Sequence, residues 1–184
     1  MVVACAAVLA ACGGDDTPRL AGAVRTPPLT VAGLSVPQTD LSGSRHEGGL
    51  VPPDGELLLV NFGYTFCPDV CPTTMNDISV ALSDLPADQA ERVTVAMITV
   101  DPERDTEAVL TNYLGHFFDD AIAISTSDPD VLAAAGATFG AQWQIAEHEP
   151  GAEYYDVAHT AVTYVVDDTG TVVVEWPFGF ETSR

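Results

Sequence analysis

Two cysteines, Cys67 and Cys71, stand with three residues between them in the run Tyr64, Thr65, Phe66, Cys67, Pro68, Asp69, Val70, Cys71, Pro72. Thiolates attack disulfides and bind soft metal ions, so this pair opens both redox exchange and metal ligation. A structural disulfide is a third use. The spacing can satisfy disulfide geometry, but so short a loop removes little unfolded-state entropy and would brace the fold weakly. Which use applies depends on the elements that hold the two sulfurs.

The short run 57–62, led by Gly55, is apolar except at Asn61, the pattern of a strand buried on both faces, and 75–82 continues with apolar residues at helical spacing. Pro72 suits a first helical position and biases Cys71 away from the α region, which predicts a helix over 72–84 with both sulfurs in the turn above it. There, unpaired backbone N–H groups and the positive end of the helix dipole favour thiolate over thiol.

The remaining pattern alternates. A strand over 92–100 leads to a helix capped by Asp105 or Thr106, a short strand over 121–124 precedes a helix opened by Asp128 and Pro129, and 143–145 forms a small extra strand. The segments 160–166 and 171–176 flank Asp167, Asp168, Thr169 and Gly170, a hairpin signal. Upstream, 29–36 reads as a short edge strand and 37–53 as a Gly, Ser and Pro-rich connection. Alternating β and α units closed by an antiparallel hairpin predict an α/β protein, a three-layer α/β/α sandwich with a mixed central sheet.

The chain has 184 residues, 47% of them hydrophobic, enough for one domain of roughly 130–150 residues plus a tail. Residues 1–11 are apolar, and Leu9, Ala10, Ala11, Cys12 matches the cleavage site of a bacterial lipoprotein signal, although the charged segment that opens such signals is missing. The expected organisation is a signal segment over 1–12, a flexible tether over 13–28 and a folded domain over 29–184. Lipid on Cys12 would anchor the domain at the extracytoplasmic face of the bacterial cell membrane. Cys5 would leave with the signal, so Cys67 and Cys71 would be the free thiols of the mature domain. Outside the cytoplasm such a pair oxidises unless a reductant acts on it. Asp and Glu total 27 against six arginines and no lysine, a formal charge of −21. That field disfavours nucleic acid and attracts cations and basic surfaces.

Three segments in this order, 63–74, 99–106 (Thr99, Val100, Asp101, Pro102, Glu103, Arg104, Asp105, Thr106) and 155–160 with its histidine, resemble the Sco/SenC proteins. The resemblance spans roughly residues 29–180. It implies a thioredoxin-like fold and a membrane-tethered chaperone that delivers a copper ion to the binuclear copper centre of cytochrome c oxidase. The implied partners are the copper-bearing subunit of that oxidase and a thiol reductant protein. The implied copper ligands are Cys67, Cys71 and His159.

The donor chemistry agrees, because two thiolates and one imidazole form a soft, low-coordinate site suited to Cu(I). His46 lies in a Gly and Ser-rich loop, His116 near a helix C-terminus and His148 in an acidic loop. His159 precedes an apolar strand that can run beside the cysteine-bearing strand and return the imidazole to the same end of the sheet. Zinc would ask for a fourth ligand, which His148 supplies only if its loop folds over the site. A Cys67–Cys71 disulfide offers no thiolate, so loading requires prior reduction. The competing activity is that of an extracytoplasmic thiol–disulfide oxidoreductase acting on oxidase cysteines, with Cys67 or Cys71 attacking and the other resolving. Thioredoxin-like reductases usually have two residues between the cysteines and a cis-proline before the facing strand. This chain has three, and no proline between Pro150 and Pro177.

Asp101 and the Asp105–Thr106 pair read as strand-end and capping residues, Tyr64 and Phe66 as packing around the thiols, and Asp69 as a turn residue without a metal role. Two departures from the family stand out. Ala158 occupies the position before the histidine where many relatives carry aspartate, and the chain stops where relatives continue into a C-terminal helix. Glu181, Thr182 and Ser183 look like the start of that helix, so the sequence reads as truncated, with an apolar sheet face left open.

Overall fold

The structure, a computed structural model, describes residues 22–179. Cys5, Cys12, the expected signal, the expected tether up to residue 21 and the segment Glu181, Thr182, Ser183 lie outside the described residues. In chain order the elements are β1 (Ser35–Asp40), β2 (Arg45–Gly49), β3 (Leu57–Gly63), α1 (Val70–Ser83), the short α2 (Ala87–Ala90), β4 (Val93–Thr99) and α3 (Glu107–Leu114). Then follow β5 (Ile122–Ile124), α4 (Pro129–Phe139), β6 (Trp143–Ile145), β7 (Val157–His159), β8 (Val162–Val166) and β9 (Val172–Pro177).

Seven strands form one sheet in the order β2-β1-β5-β4-β3-β8-β9, and β6 pairs with β7 in a separate ribbon. The centre, β3, β4 and β5, is parallel, while β1, β8 and β9 join antiparallel. The sheet is therefore mixed, as the alternating pattern predicts. Helices cover both faces. Met75 of α1 and Leu110 and Leu114 of α3 pack on Leu59, Val95 and Met97, whereas Leu132, Ala135 and Phe139 of α4 pack on Val60, Phe62 and Ile98 opposite. Phe62 anchors the second layer through rings of Phe139 at 5.5 Å and Tyr164 at 6.2 Å, and each such buried aromatic contributes roughly 1.5–3 kcal/mol through its removal from water.

Local signals account for the regular parts. α4 opens on Asp128, whose carboxylate accepts from Asp130 N at 2.9 Å, and ends at Gly140 with φ +70, a left-handed stop that glycine adopts without a Cβ clash. No described helix is long and apolar enough to cross a membrane.

Two expectations are corrected. The N-terminal strand is not 29–36 at the edge: β1 begins at Ser35 inside the sheet, and β2 makes the edge from a segment read as connection. Asp40 closes that hairpin by accepting from Ser42 Oγ at 2.6 Å and Ser44 N at 2.9 Å, with Gly43 at φ +87. Turn chemistry of this kind is hidden in a sequence stretch that otherwise looks like a linker. Secondly, α1 begins at Val70 rather than Pro72, so Cys71 is already helical. Pro72 is then the third residue of the first turn, where a missing N–H still costs nothing.

The topology concentrates chain at one edge. Gly63 of β3 and Thr99 of β4 stand in register, and Val100 N donates to Gly63 O at 2.9 Å. The loops after both strands leave the sheet side by side, and β8, being antiparallel to β3, starts from this same edge. Such an edge is where open α/β sheets place their sites. On the α1 side an apolar groove of about 780 Å³ lies between Ile78 and Leu82 of the helix and Leu59, Val162, Val165 and Trp176 of the sheet.

Candidate metal centre

The thiol turn is built from both ends. Cys67 N donates to Tyr64 O at 3.3 Å, closing a turn directly after β3. Asp69, the residue before α1, caps nothing with its side chain. Instead the Cys71 N–H donates to Cys67 Sγ at 3.3 Å, so a sulfur takes the role that a capping oxygen fills at other helix starts. Gly63 makes room for the second sulfur: a Cβ there would lie 2.9 Å from Cys71 Sγ and 2.9 Å from Met97 Cε.

A buried carboxylate anchors the same turn. Asp105 accepts from Thr65 N at 2.9 Å, Thr65 Oγ1 at 2.5 Å and Thr99 Oγ1 at 2.7 Å, and it is fully buried. Burial pushes its carboxyl above the ordinary aspartate range, opposed by the bonds from Thr65 and Thr99. Thr106, not Asp105, caps α3, accepting from Val109 N at 3.3 Å. The open choice between the two is resolved, and Asp105 is freed for the site.

His159 ends β7, opposite Trp143 of β6. Its Nδ1 bonds the Thr160 carbonyl at 3.1 Å, and Thr160 is itself clamped to Gln142 through Thr160 N to Gln142 O at 2.8 Å and Gln142 N to Thr160 Oγ1 at 3.0 Å. A carbonyl can only accept, so Nδ1 carries the proton and Nε2 presents its lone pair. The ring's orientation thus comes from the main chain, and Ala158 faces solvent without a part in it. Tyr64 stands edge-on to the imidazole at 5.8 Å.

Nε2 lies 3.4 Å from Cys71 Sγ, and the donor atoms of Cys67, Cys71 and His159 all lie within 4.8 Å of one another. With metal–sulfur and metal–nitrogen bonds of about 2.3 and 2.0 Å, donors around a three-coordinate ion stand roughly 3.7–4.0 Å apart. The cluster closes on an ion with movements below about 1 Å. Among the described residues no fourth His, Cys, Asp or Glu joins it. His148 bonds Glu103 at 3.1 Å and stacks on Tyr155 at 3.7 Å. His116 bonds Asn112 O at 2.6 Å, and His46 sits in β2 opposite Gln38.

Electrostatics correct the expectation of two helix-activated thiolates. Cys71 is buried, and burial pushes its thiol well above the ordinary cysteine range, with the neighbouring Cys67 adding to the effect. Burial also lowers the His159 pKa, against the bond to Thr160 that raises it. Near neutral pH the metal-free site therefore holds a protonated Cys71 and a neutral imidazole, and Cys71 Sγ–H donates to Nε2. A metal ion must displace that proton. Below the thiol's pKa the apparent affinity is expected to rise about tenfold per pH unit from Cys71 alone, while His159, already neutral, adds no proton competition. Chelator competition at several pH values, with proton release measured in weak buffer, checks this. A flat pH profile would contradict it.

A mixed sheet covered on both faces, with two cysteines at the junction of a central strand and its helix and a histidine returned beside them, defines a thioredoxin-like domain carrying a soft-donor cluster. The chain belongs to the SCO1/SenC family, whose model matches residues 50–183. It is similar to the protein SenC of Rhodobacter capsulatus, 37% identical over 109 residues, covering 59% of this chain and 48% of that protein. It is also similar to a SCO2-like protein of Rickettsia felis, 32% identical over 118 residues, covering 63% and 56%. The chain thus spans about half the length of the curated relatives it matches. Among solved structures, ScoI of Bradyrhizobium japonicum with copper bound is 33% identical with a TM-score of 0.65, covering 81% of this chain and 90% of that one. Apo Sco1 from Thermus thermophilus, also 33% identical, gives a TM-score of 0.70 with 86% and 87% covered.

The sequence reading named the three donors and missed their supports. Thr65, Thr99 and Thr160 lie inside the segments that carry the resemblance, but nothing in their local sequence marks their partners, which stand 6 to 40 residues away. Asp105 was within reach: two adjacent capping candidates cannot both cap one helix, which leaves one of them for another role.

Proposed function

We propose that this domain is a copper-binding chaperone that holds Cu(I) through Cys67, Cys71 and His159 and passes it to the binuclear copper centre of cytochrome c oxidase. The observation that carries the reading is the convergence of two sulfurs and one neutral imidazole nitrogen to within 4.8 Å, without a fourth donor among the described residues. Thiolate favours Cu(I) over harder ions, and low coordination suits an ion that must be handed on. The copper-bound Bradyrhizobium structure supports the same cargo. Loading waits on a thiol reductant, because a Cys67–Cys71 disulfide has no thiolates to offer. In the full arrangement residues 1–12 are a lipoprotein signal, Cys12 carries the lipid, 13–28 tether the domain over 29–184, and the oxidase's copper-bearing subunit meets it at the extracytoplasmic face of the membrane.

The asymmetry of the thiols favours a second reading. Cys67 is only partly buried and Cys71 fully so, the arrangement of an attacking and a resolving cysteine in a thiol–disulfide oxidoreductase. Anaerobic Cu(I) titration of the reduced protein separates the two. Wild type is expected to bind one ion tightly and His159→Ala to bind it about 10²-fold more weakly, one ligand's share of a three-donor site. Equal affinity in His159→Ala would sink the three-ligand site, and absence of binding in wild type would leave the oxidoreductase.

A further inference from the structure

Arg104 touches both the thiol turn, at Tyr64 and Phe66, and the segment that leads into the histidine strand, at Glu153 and Tyr155. Its Nε donates to Asp101 Oδ2 at 2.5 Å, and Asp101 is fully buried and also accepts from Tyr155 OH at 2.6 Å. Its Nη1 reaches the carbonyls of Glu153 and Tyr155, each at 3.3 Å. The guanidinium lies 3.6 Å above the Tyr155 ring, with the Phe66 ring centre at 5.0 Å and the Tyr64 ring centre at 5.6 Å. His148 stacks on Tyr155 at 3.7 Å, a distance that leaves it only the opposite face of that ring. Imidazole, phenol and guanidinium therefore form a layered stack that ends against Phe66, the residue before Cys67. At the other side, Tyr155 lies two residues before β7, which carries His159.

The arginine side chain is 8% exposed, and its Nη2 has no hydrogen-bond partner among the described residues. Burying a cation with one nitrogen unbonded is costly, and the buried Asp101 carboxylate together with the surrounding rings offsets that cost. A spacer that only braced the loop needs neither charge nor planarity. This one uses both, with Nε on Asp101, Nη1 on two main-chain carbonyls and the plane flat against Tyr155, a set of contacts lysine cannot reproduce.

We infer that Arg104 is a positioning residue for the metal site: it sets the separation between the thiol turn and His159. The inference rests on the copper reading and deepens it. Its mark is coupling. If Arg104 acts by placing the imidazole against the thiols, its loss matters only while the imidazole is present.

The test is a double-mutant cycle on the full reduced chain, with Cu(I) affinity read by competition against a chromophoric chelator and apo folding checked by circular dichroism. Arg104→Gln is expected to weaken Cu(I) binding about 10–100-fold, the usual effect of losing a group that orients a ligand. In the His159→Ala background the same change is expected to cost less than about threefold. Arg104→Lys, which keeps the charge, is expected to fall between wild type and Arg104→Gln, and it decides the matter if Arg104→Gln does not fold. Equal losses with and without His159 would overturn the inference and reduce Arg104 to a structural brace. Wild-type affinity in a folded Arg104→Gln, or in Arg104→Lys should Arg104→Gln fail to fold, would overturn it too. Absence of Cu(I) binding by wild type would sink the copper reading itself, and this inference with it.

Discussion

Cys71→Ser is expected to lose stoichiometric Cu(I) binding while the metal-free domain stays folded. Structural sites of four ligands bind with about 10–16 kcal/mol, roughly 2.5–4 kcal/mol per ligand, so removing one thiolate weakens binding on the order of 10²–10³-fold. Serine's hydroxyl stays protonated and is a hard donor, so it does not substitute for sulfur. It can still donate to His159 Nε2 from the same buried position, where Cys71 Sγ lies at 3.4 Å, which preserves the metal-free contact. Cys67→Ser should lose copper equally but differ in the apo state. The bond from Cys71 N, now made to sulfur, can pass to the serine oxygen, so apo stability is expected to change little. Chelator competition and thermal melting of both reduced variants read the two effects separately. Retention of wild-type affinity by either would exclude that sulfur as a ligand.

Asp105→Ala is expected to destabilise the metal-free domain by about 3–5 kcal/mol, the largest stability effect among these substitutions. It removes an acceptor of three hydrogen bonds, from Thr65 N, Thr65 Oγ1 and Thr99 Oγ1. The buried donors left behind cost about 1–3 kcal/mol each where water cannot reach them. The thiol turn loses its anchor at Thr65, two residues before Cys67, so copper affinity should fall as well. Asp105→Asn keeps an acceptor oxygen and should lose less. Denaturant unfolding of the reduced apo variants measures this, and a loss under about 1 kcal/mol for Asp105→Ala would show that the network is dispensable.

What was readable in the sequence follows from how local each signal is. Residues 57–63 and 93–99 announce themselves as central strands by their high density of apolar residues, because both faces of β3 and β4 are buried. Asp128 and Pro129, and the 167–170 turn, mark α4 and the β8–β9 hairpin through capping and turn chemistry contained within a few residues. The β1–β2 hairpin escaped because its turn depends on an Asp40 side chain bent back on Ser42 and Ser44. The start of α1 escaped because a proline is equally at home at the first and third positions of a helix.

At the site the three donors were readable from residue type and family resemblance, whereas their supports were not. Arg104 in isolation is one cation in an acidic chain, and its burial between Tyr155 and Phe66 is a property of two loops meeting. The thiolate expectation failed for a related reason. The helix dipole is visible in sequence, but the depth at which Cys71 sits is not, and burial is what pushes its thiol up.

The Cys67 sulfur that receives the Cys71 amide belongs both to the donor cluster and to the first turn of α1. Electron density that sulfur gives to an ion, or shares in a disulfide, is withdrawn from that N–H. The chemical history of the pair is thereby transcribed onto a single amide proton, whose resonance frequency and exchange with solvent report loading and oxidation from inside the backbone. On the copper reading, fraying of the helix at this end would loosen the hold on the ion.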